Sequence, residues 1–278
     1  MTEIDLDSLK KIQIKILNYV TEFCEKNSIN YWLDSGTLLG AIRHKGYIPW
    51  DDDIDIGMLR KDYDKFTELF GKENGNYEFV CYENTPDFYL PHGKVCDTST
   101  ILYEPDENGY KLAVNIDIFV YDNAPDDDKE LKKMFDRRDY LRKIYNIKMR
   151  KISFKKDFLK NVVRFIRKAT YYIFCPGMKH ADGAIKEMIK NSKKYADENT
   201  TRVGNFTAFS RTSCNKRVFD SFINVTFEGR EYKAPVGYDE WLRSFYGNYM
   251  ELPPVEKRVS HHSFKAYFND ENNSDDNA

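Results

Sequence analysis

No uninterrupted run of about 18 apolar residues occurs anywhere in the 278-residue sequence, so a transmembrane helix is not expected. The first residues, Met-Thr-Glu-Ile-Asp-Leu-Asp, are acidic and lack the apolar centre of a secretory signal, so none is expected. Cysteines are few: Cys24, Cys81, Cys96, Cys175 and Cys214 are odd in number and far apart, with no Cys-x-x-Cys pair. That spacing speaks against both structural zinc and a disulfide framework and points to a reducing cytoplasm. Internal repeats are absent. A large excess of either charge is missing too: the net charge of −2 offers no global attraction to nucleic acid, so no nucleic-acid partner is expected. Any basic partner surface must therefore be local.

What is present describes a soluble globular chain, 41% hydrophobic and 32% charged, long enough to bury a substantial core. Residues 6–27 place Leu9, Ile12, Ile16, Leu17, Val20, Phe23 and Cys24 at spacings of three and four, an amphipathic helix with Asp5 or Asp7 as its cap. Ile29–Leu33 reads as a short strand, Thr37–His44 as a short helix ended by Gly46, and Arg60–Phe70 as another helix. Glu78–Tyr82, Lys94–Cys96 and Val114–Tyr121 are β-branched and aromatic strands. Asp126-Asp127-Asp128 after Pro125 reads as a helix start rather than a metal site. A helix over 179–197, strands at Val203–Phe209 and Ile223–Phe227, a pairing strand at Glu231–Ala234 and a helix at Tyr238–Tyr246 complete the reading.

One stretch, residues 30–58, organises the chain. It joins the small-residue turn Ser35-Gly36-Thr37 to an acidic strand, Asp53-Ile54-Asp55-Ile56. Side chains two apart on a strand share a face, so Asp53 and Asp55 are expected side by side. Two adjacent carboxylates repel each other, and a hard divalent cation held by oxygen ligands resolves that cost. Asn115-Ile116-Asp117-Ile118-Phe119 sets a third carboxylate among core residues. If its strand neighbours the first, Asp53, Asp55 and Asp117 converge on one cleft. Asp117 would there either ligate metal or draw the proton from an acceptor hydroxyl, around one ion or a pair about 4 Å apart.

These residues, from Asp34-Ser35-Gly36-Thr37 through Asp53-Ile54-Asp55-Ile56-Gly57, closely resemble the LicD family, phosphocholine transferases of cell-surface polysaccharides related to the fukutin-related proteins. The similarity continues in Gly93-Lys94-Val95, in Asn115 to Phe119, in Tyr246-Gly247-Asn248-Tyr249-Met250 with Pro253-Pro254, and in His261-His262-Ser263-Phe264-Lys265. Cys96 stands where family members often carry Arg. The resemblance implies an α+β fold: a nucleotidyltransferase-like mixed β-sheet core with flanking helices and a helical insertion. One domain is expected over 1–268, with a core at about 28–125, a basic helical region at about 126–200 and a C-terminal part at about 201–268. The polar tail 269–278 is expected to be disordered.

The implied chemistry is transfer of phosphocholine, or a similar phospho-alcohol, from a CDP-activated donor to a sugar hydroxyl of a polysaccharide or teichoic acid precursor. Asp53, Asp55 and Asp117 would be the catalytic, metal-binding residues, with Mg2+ or Mn2+ as cofactor. Backbone N–H groups at Ser35, Gly36 and Thr37 would receive phosphate oxygens, Arg43 and Lys94 would supply phosphate cations, and His262, with His261 beside it, would contact substrate. Trp50 is either a packing anchor or a cation–π face for a quaternary ammonium. Asp51 and Asp52 are expected as a turn residue and a support of the site. Alternative readings are glycerol- or ribitol-phosphate transfer, nucleotidyl transfer, or a non-catalytic partner in a membrane glycan-assembly complex.

Residues 142–168 carry eleven Lys/Arg against one Asp, a local net charge of +10, interleaved with apolar residues and followed by Tyr171 to Cys175. Three roles fit: a helix lying in an anionic membrane surface, an ordinary solvated basic face, or a surface for a nucleotide's phosphates. The first predicts peripheral contact through 142–175 at the inner face of the cell membrane.

Overall fold

The structure, a computed structural model, describes residues 1–71, 75–86, 88–103, 112–149, 158–174, 181–208, 210–259 and 265–269. The chain opens with β1 (Glu3–Ile4) and α1 (Leu6–Lys26), whose start is capped where Ser8 N donates to the Asp5 carboxylate at 2.7 Å. Then follow β2 (Trp32–Leu33), α2 (Ser35–His44), β3 (Asp55–Leu59), α3 (Arg60–Leu69), β4 (Tyr77–Val80), β5 (Gly93–Tyr103) and β6 (Leu112–Ala124). Three helices come next: α4 (Asp128–Met149), α5 (Phe158–Phe174) and α6 (Ala181–Ser192). β7 (Arg202–Gly204), β8 (Ser213–Asn215), the hairpin of β9 (Phe222–Phe227) and β10 (Arg230–Pro235), α7 (Tyr238–Tyr246) and β11 (Lys265–Phe268) complete the described chain.

A mixed sheet runs β1-β11-β5-β6-β3-β2, with β4 beside β5, and β7 joining β8 to β6. β6 is its centre, parallel to β3 and antiparallel to β5. Along β6, Leu112, Val114, Ile116, Ile118 and Val120 are buried, while Asn115, Asp117 and Phe119 alternate with them on the other face. That alternation puts a carboxylate at the middle of the sheet. α1 presents Leu9, Ile12, Ile16, Leu17, Val20 and Cys24 to the core, as its spacing predicts. Cys24, Cys81, Cys96 and Cys214 are free and buried.

The acidic segment differs from the sequence expectation: the strand begins at Asp55, not at Asp53. Pairing with β6 starts where Asp117 N donates to Ile54 O, so only from there does the partner strand impose the extended ladder. Residues 51–53 instead follow a turn closed by Asp51 N on Ile48 O. Other strands also depart from expectation. β5 runs past Cys96 to Tyr103 through an irregularity between Asp97 and Leu102, where the Thr100 hydroxyl accepts from Val114 N.

α2 ends at Lys45, which takes the left-handed conformation with φ +63°. The β9–β10 hairpin turns through Glu228 and Gly229, at φ +49° and +78°. Asp127 caps α4 by accepting from Lys129 N and Glu130 N, while Asp126 accepts from Thr201 and Asp128 pairs with Arg202. The acidic triplet is thus a helix start and a tie to β7. No described helix is long and apolar enough to cross a membrane.

Candidate active site

Three neighbouring strands set one row of charge. Lys94 on β5 lies opposite Asp117 on β6, which lies opposite Asp55 on β3. The Lys94 ammonium donates to Asp117 Oδ1 and, at 3.0 Å, to Asn115 Oδ1. His92, just before β5, brings Nε2 to 3.4 Å from Asp117 Oδ2 and sets its ring against Phe119, centroids 4.8 Å apart. His92 Nδ1 is buried without a hydrogen-bond partner. Burial alone would raise the Asp117 pKa, but Lys94 and His92 hold it below the usual carboxylate range. The opposite holds for Asp55, which is only 8% exposed. Burial, then the charges of Asp53 and Asp117, push its pKa well above the ordinary value. Two carboxylates side by side are therefore driven apart in proton affinity, a pattern typical of functional sites.

The loop ahead of β3 brings further carboxylates to the same cleft. Carboxylate oxygens of Asp51, Asp52 and Asp53 lie within 4.8 Å of one another. Asp52, expected only as a support, is buried, and its carbonyl accepts from Gln13 Nε2 at 2.9 Å. Gln13 in turn accepts from the Tyr47 hydroxyl. A glutamine inside the apolar stripe of α1 thereby fixes the acidic loop. Asp52, Asp53, Lys94, Asn115 and Asp117 line a small, solvent-open cleft of about 50 Å³.

The small-residue turn supports the same row. The Thr37 hydroxyl accepts from Asp55 N at 2.8 Å, so it is committed to placing the carboxylate's backbone. Ser35 starts α2 with φ +46°, a left-handed conformation costing about 1–2 kcal/mol in a non-glycine residue. Gly36 is required by space: a Cβ there would sit 2.7 Å from Asp51 Oδ2. Gly36→Ala is accordingly expected to displace the Asp51 carboxylate while leaving the melting temperature nearly unchanged, since the far end of a side chain can yield. Misplacement of this size should lower kcat/KM by about 10–100-fold, checked by steady-state kinetics.

Asp34, 0% exposed, joins the turn to the far end of the chain: it accepts from the Tyr121 hydroxyl and, at 2.9 Å, from Trp241 Nε1. Arg43 does not reach the acidic row in this structure. Its guanidinium donates to the carbonyls of Tyr249 and Glu251, at 2.7 and 3.3 Å. Trp50 packs on the core near His44, and the Arg258 guanidinium covers its ring at 5.7 Å from the centroid. Arg258 is held there by donating from Nε to Pro253 O. Burial of its hydroxyl end, then the charges of Asp55, Asp34, Asp51 and Asp53, raise the Tyr246 pKa, although the residue as a whole is 42% exposed. His261 and His262 lie outside the described residues. Sequence reasoning missed His92, Gln13, Tyr246 and Arg258. Of these, Gln13 carried the signal of a polar residue on an apolar helix face, and Tyr246 lay in one of the stretches that resemble the family.

Comparison with known proteins bears on the same segment. The family model described as LicD/FKTN/FKRP, nucleotidyltransferase domain, matches residues 28–164, a span that holds Asp34, the acidic loop, Lys94 and Asp117. A lipopolysaccharide cholinephosphotransferase LicD of Haemophilus influenzae is 32% identical over 276 residues, covering 96% of this chain and 99% of that one. A ribitol 5-phosphate transferase FKRP of Homo sapiens is 43% identical over 58 residues, 21% of this chain and 12% of that one. With a mixed α+β sheet, a site inside the matched span and similarity along nearly its whole length, this chain belongs to the LicD family of nucleotidyltransferase-like proteins.

Proposed function

We propose that the chain transfers phosphocholine, or a closely similar phospho-alcohol, from a CDP-activated donor to a sugar hydroxyl of a cell-envelope glycan precursor such as lipopolysaccharide, teichoic acid or capsule, on the cytoplasmic side of the membrane. The row Lys94–Asp117–Asp55, together with the carboxylate cluster Asp51–Asp53, carries this reading. Its donor set consists of hard carboxylate oxygens, the chemistry that suits Mg2+ or Mn2+. The raised proton affinity of buried Asp55 marks a place where a cation would relieve repulsion. Asp53, Asp55 and Asp117 would hold the ion, which when bound supplies charge neutralisation for a diphosphate and its leaving group.

The remaining work falls to this chain's own groups. Phosphoryl transfer asks mainly for positioning and electrostatic support. Lys94 and His92 keep Asp117 ionised and oriented, which supports a ligand role for it over that of a proton acceptor. Thr37 holds the Asp55 backbone, and Gln13 holds the acidic loop. The first N–H groups of α2 would take phosphate oxygens. Arg43 ties residues 249–251 to α2.

A second reading, ribitol or glycerol phosphate as the transferred group, is favoured by one observation: Arg258 already covers the Trp50 ring that a quaternary ammonium would use. CMP release measured side by side with CDP-choline, CDP-glycerol and CDP-ribitol, with Mg2+ and a glycan acceptor, tests both. We expect turnover with one donor, abolished by a chelator. The absence of CMP release from all three would overturn the transferase reading.

A further inference from the structure

Among the described side chains of helix α5, a polar one is buried and three large apolar ones are exposed. Asn161 is 5% exposed, its Oδ1 accepting from Arg164 Nη1 at 2.9 Å, whereas Val163, Phe165 and Ile166 are 65%, 56% and 56% exposed. Scattered exposed apolar residues are ordinary, but three large ones within four positions form a patch, and such patches beside polar rims mark interaction surfaces. The patch lies within the stretch 142–168, whose net charge is +10.

That pairing restricts the occupant. Nucleic acid would use the charge but leave Val163 and Ile166 wet. A second copy meeting this face by two-fold symmetry would set Arg164 and Lys168 near their own symmetry mates. An anionic bilayer satisfies both features, accepting apolar side chains at the headgroup boundary and attracting the basic flank. We propose that α5 lies in the headgroup region of an anionic membrane with Val163, Phe165 and Ile166 inserted and Arg164 and Lys168 at the lipid phosphates. This surface lies outside the residues assigned to the cleft, so it stands or falls independently of the transfer chemistry.

Co-sedimentation of the full chain with vesicles tests it. The protein is expected to pellet with phosphatidylglycerol mixed into phosphatidylcholine, not with phosphatidylcholine alone, and to dissociate as salt rises. Arg164→Gln and Lys168→Gln should each weaken partition by about fivefold, the worth of one basic residue near an anionic surface. Phe165→Ser with Ile166→Ser should weaken it by about tenfold or more, reflecting lost apolar insertion. CMP release with a soluble acceptor should be the same in all these variants. Equal sedimentation of wild type and variants would overturn the assignment. So would a concentration-dependent dimer, seen by analytical ultracentrifugation, that the Phe165/Ile166 variant abolishes, because the patch would then belong to a second copy.

Discussion

Asp55→Asn and Asp117→Asn are each expected to lower CMP release by about 10³-fold, the scale on which a single electrostatic contributor matters at a transferring centre. Both substitutions keep shape and remove charge. Their effects on stability should nevertheless have opposite signs. Asp55 is buried beside Asp53 and Asp117, and its raised proton affinity records how unfavourable its ionised form is there. Removing that charge should raise the melting temperature of the metal-free protein.

Asp117 is the counter-ion of Lys94, whose side chain is 11% exposed. Asp117→Asn leaves that ammonium nearly buried beside an amide, a loss of about 3 kcal/mol. Stabilisation by added Mg2+ should vanish in both variants. Thermal unfolding with and without Mg2+, together with CMP release, reads all three effects. Activity within tenfold of wild type in either variant would defeat the assignment of these carboxylates to the reaction.

The contrast between these residues shows what was legible in the sequence. An aspartate flanked by isoleucines is conspicuous on its own strand, so Asp55 and Asp117 could be named at once. Asp53 could be named too, but not placed. Alternation is a local rule, whereas the start of β3 is decided by where β6 supplies its first ladder bond, at Ile54. For the same reason Asp51 and Asp52 looked peripheral, though the turn at Ile48–Asp51 folds their carboxylates onto Asp53.

Lys94 was legible as a cation near phosphate chemistry, but its partner was not. The Lys94–Asp117 pairing is a matter of register between strands 23 residues apart in sequence. His92 depends on the same register and had no signal of its own. β1 and β11 are two and four residues long, and the pairing of β1 with β11 and of β11 with β5 is imposed by the sheet rather than by propensity. The basic character of α5 was plain from composition. The exposure of Val163, Phe165 and Ile166 was not, because that requires knowing which side faces the protein.

The other large effect belongs to Asp34. Its carboxylate accepts from Tyr121 on β6 and Trp241 on α7, and its N–H donates to Asp55 O at 3.0 Å, so one buried side chain joins the turn, the central strand and the C-terminal helix. Asp34→Ala would strand two buried hydrogen-bond donors, at about 1–3 kcal/mol each. With the cavity added, a loss of roughly 3–5 kcal/mol in urea-unfolding free energy is expected. Asp34→Asn should lose less, since one oxygen remains to accept.

The pH dependence then separates the charge from the shape. Burial is the largest influence on Asp34 and raises its pKa, so the folded state holds the proton more tightly than the unfolded chain. The resulting stability is fully present below the unfolded carboxylate pKa and is lost as pH rises through the raised folded value. The advantage of wild type over Asp34→Asn should therefore shrink as pH climbs from the ordinary carboxylate range toward neutrality. Urea unfolding of both proteins across that interval reads the difference. A gap that stays constant with pH would mean that Asp34 contributes only its shape and hydrogen bonds.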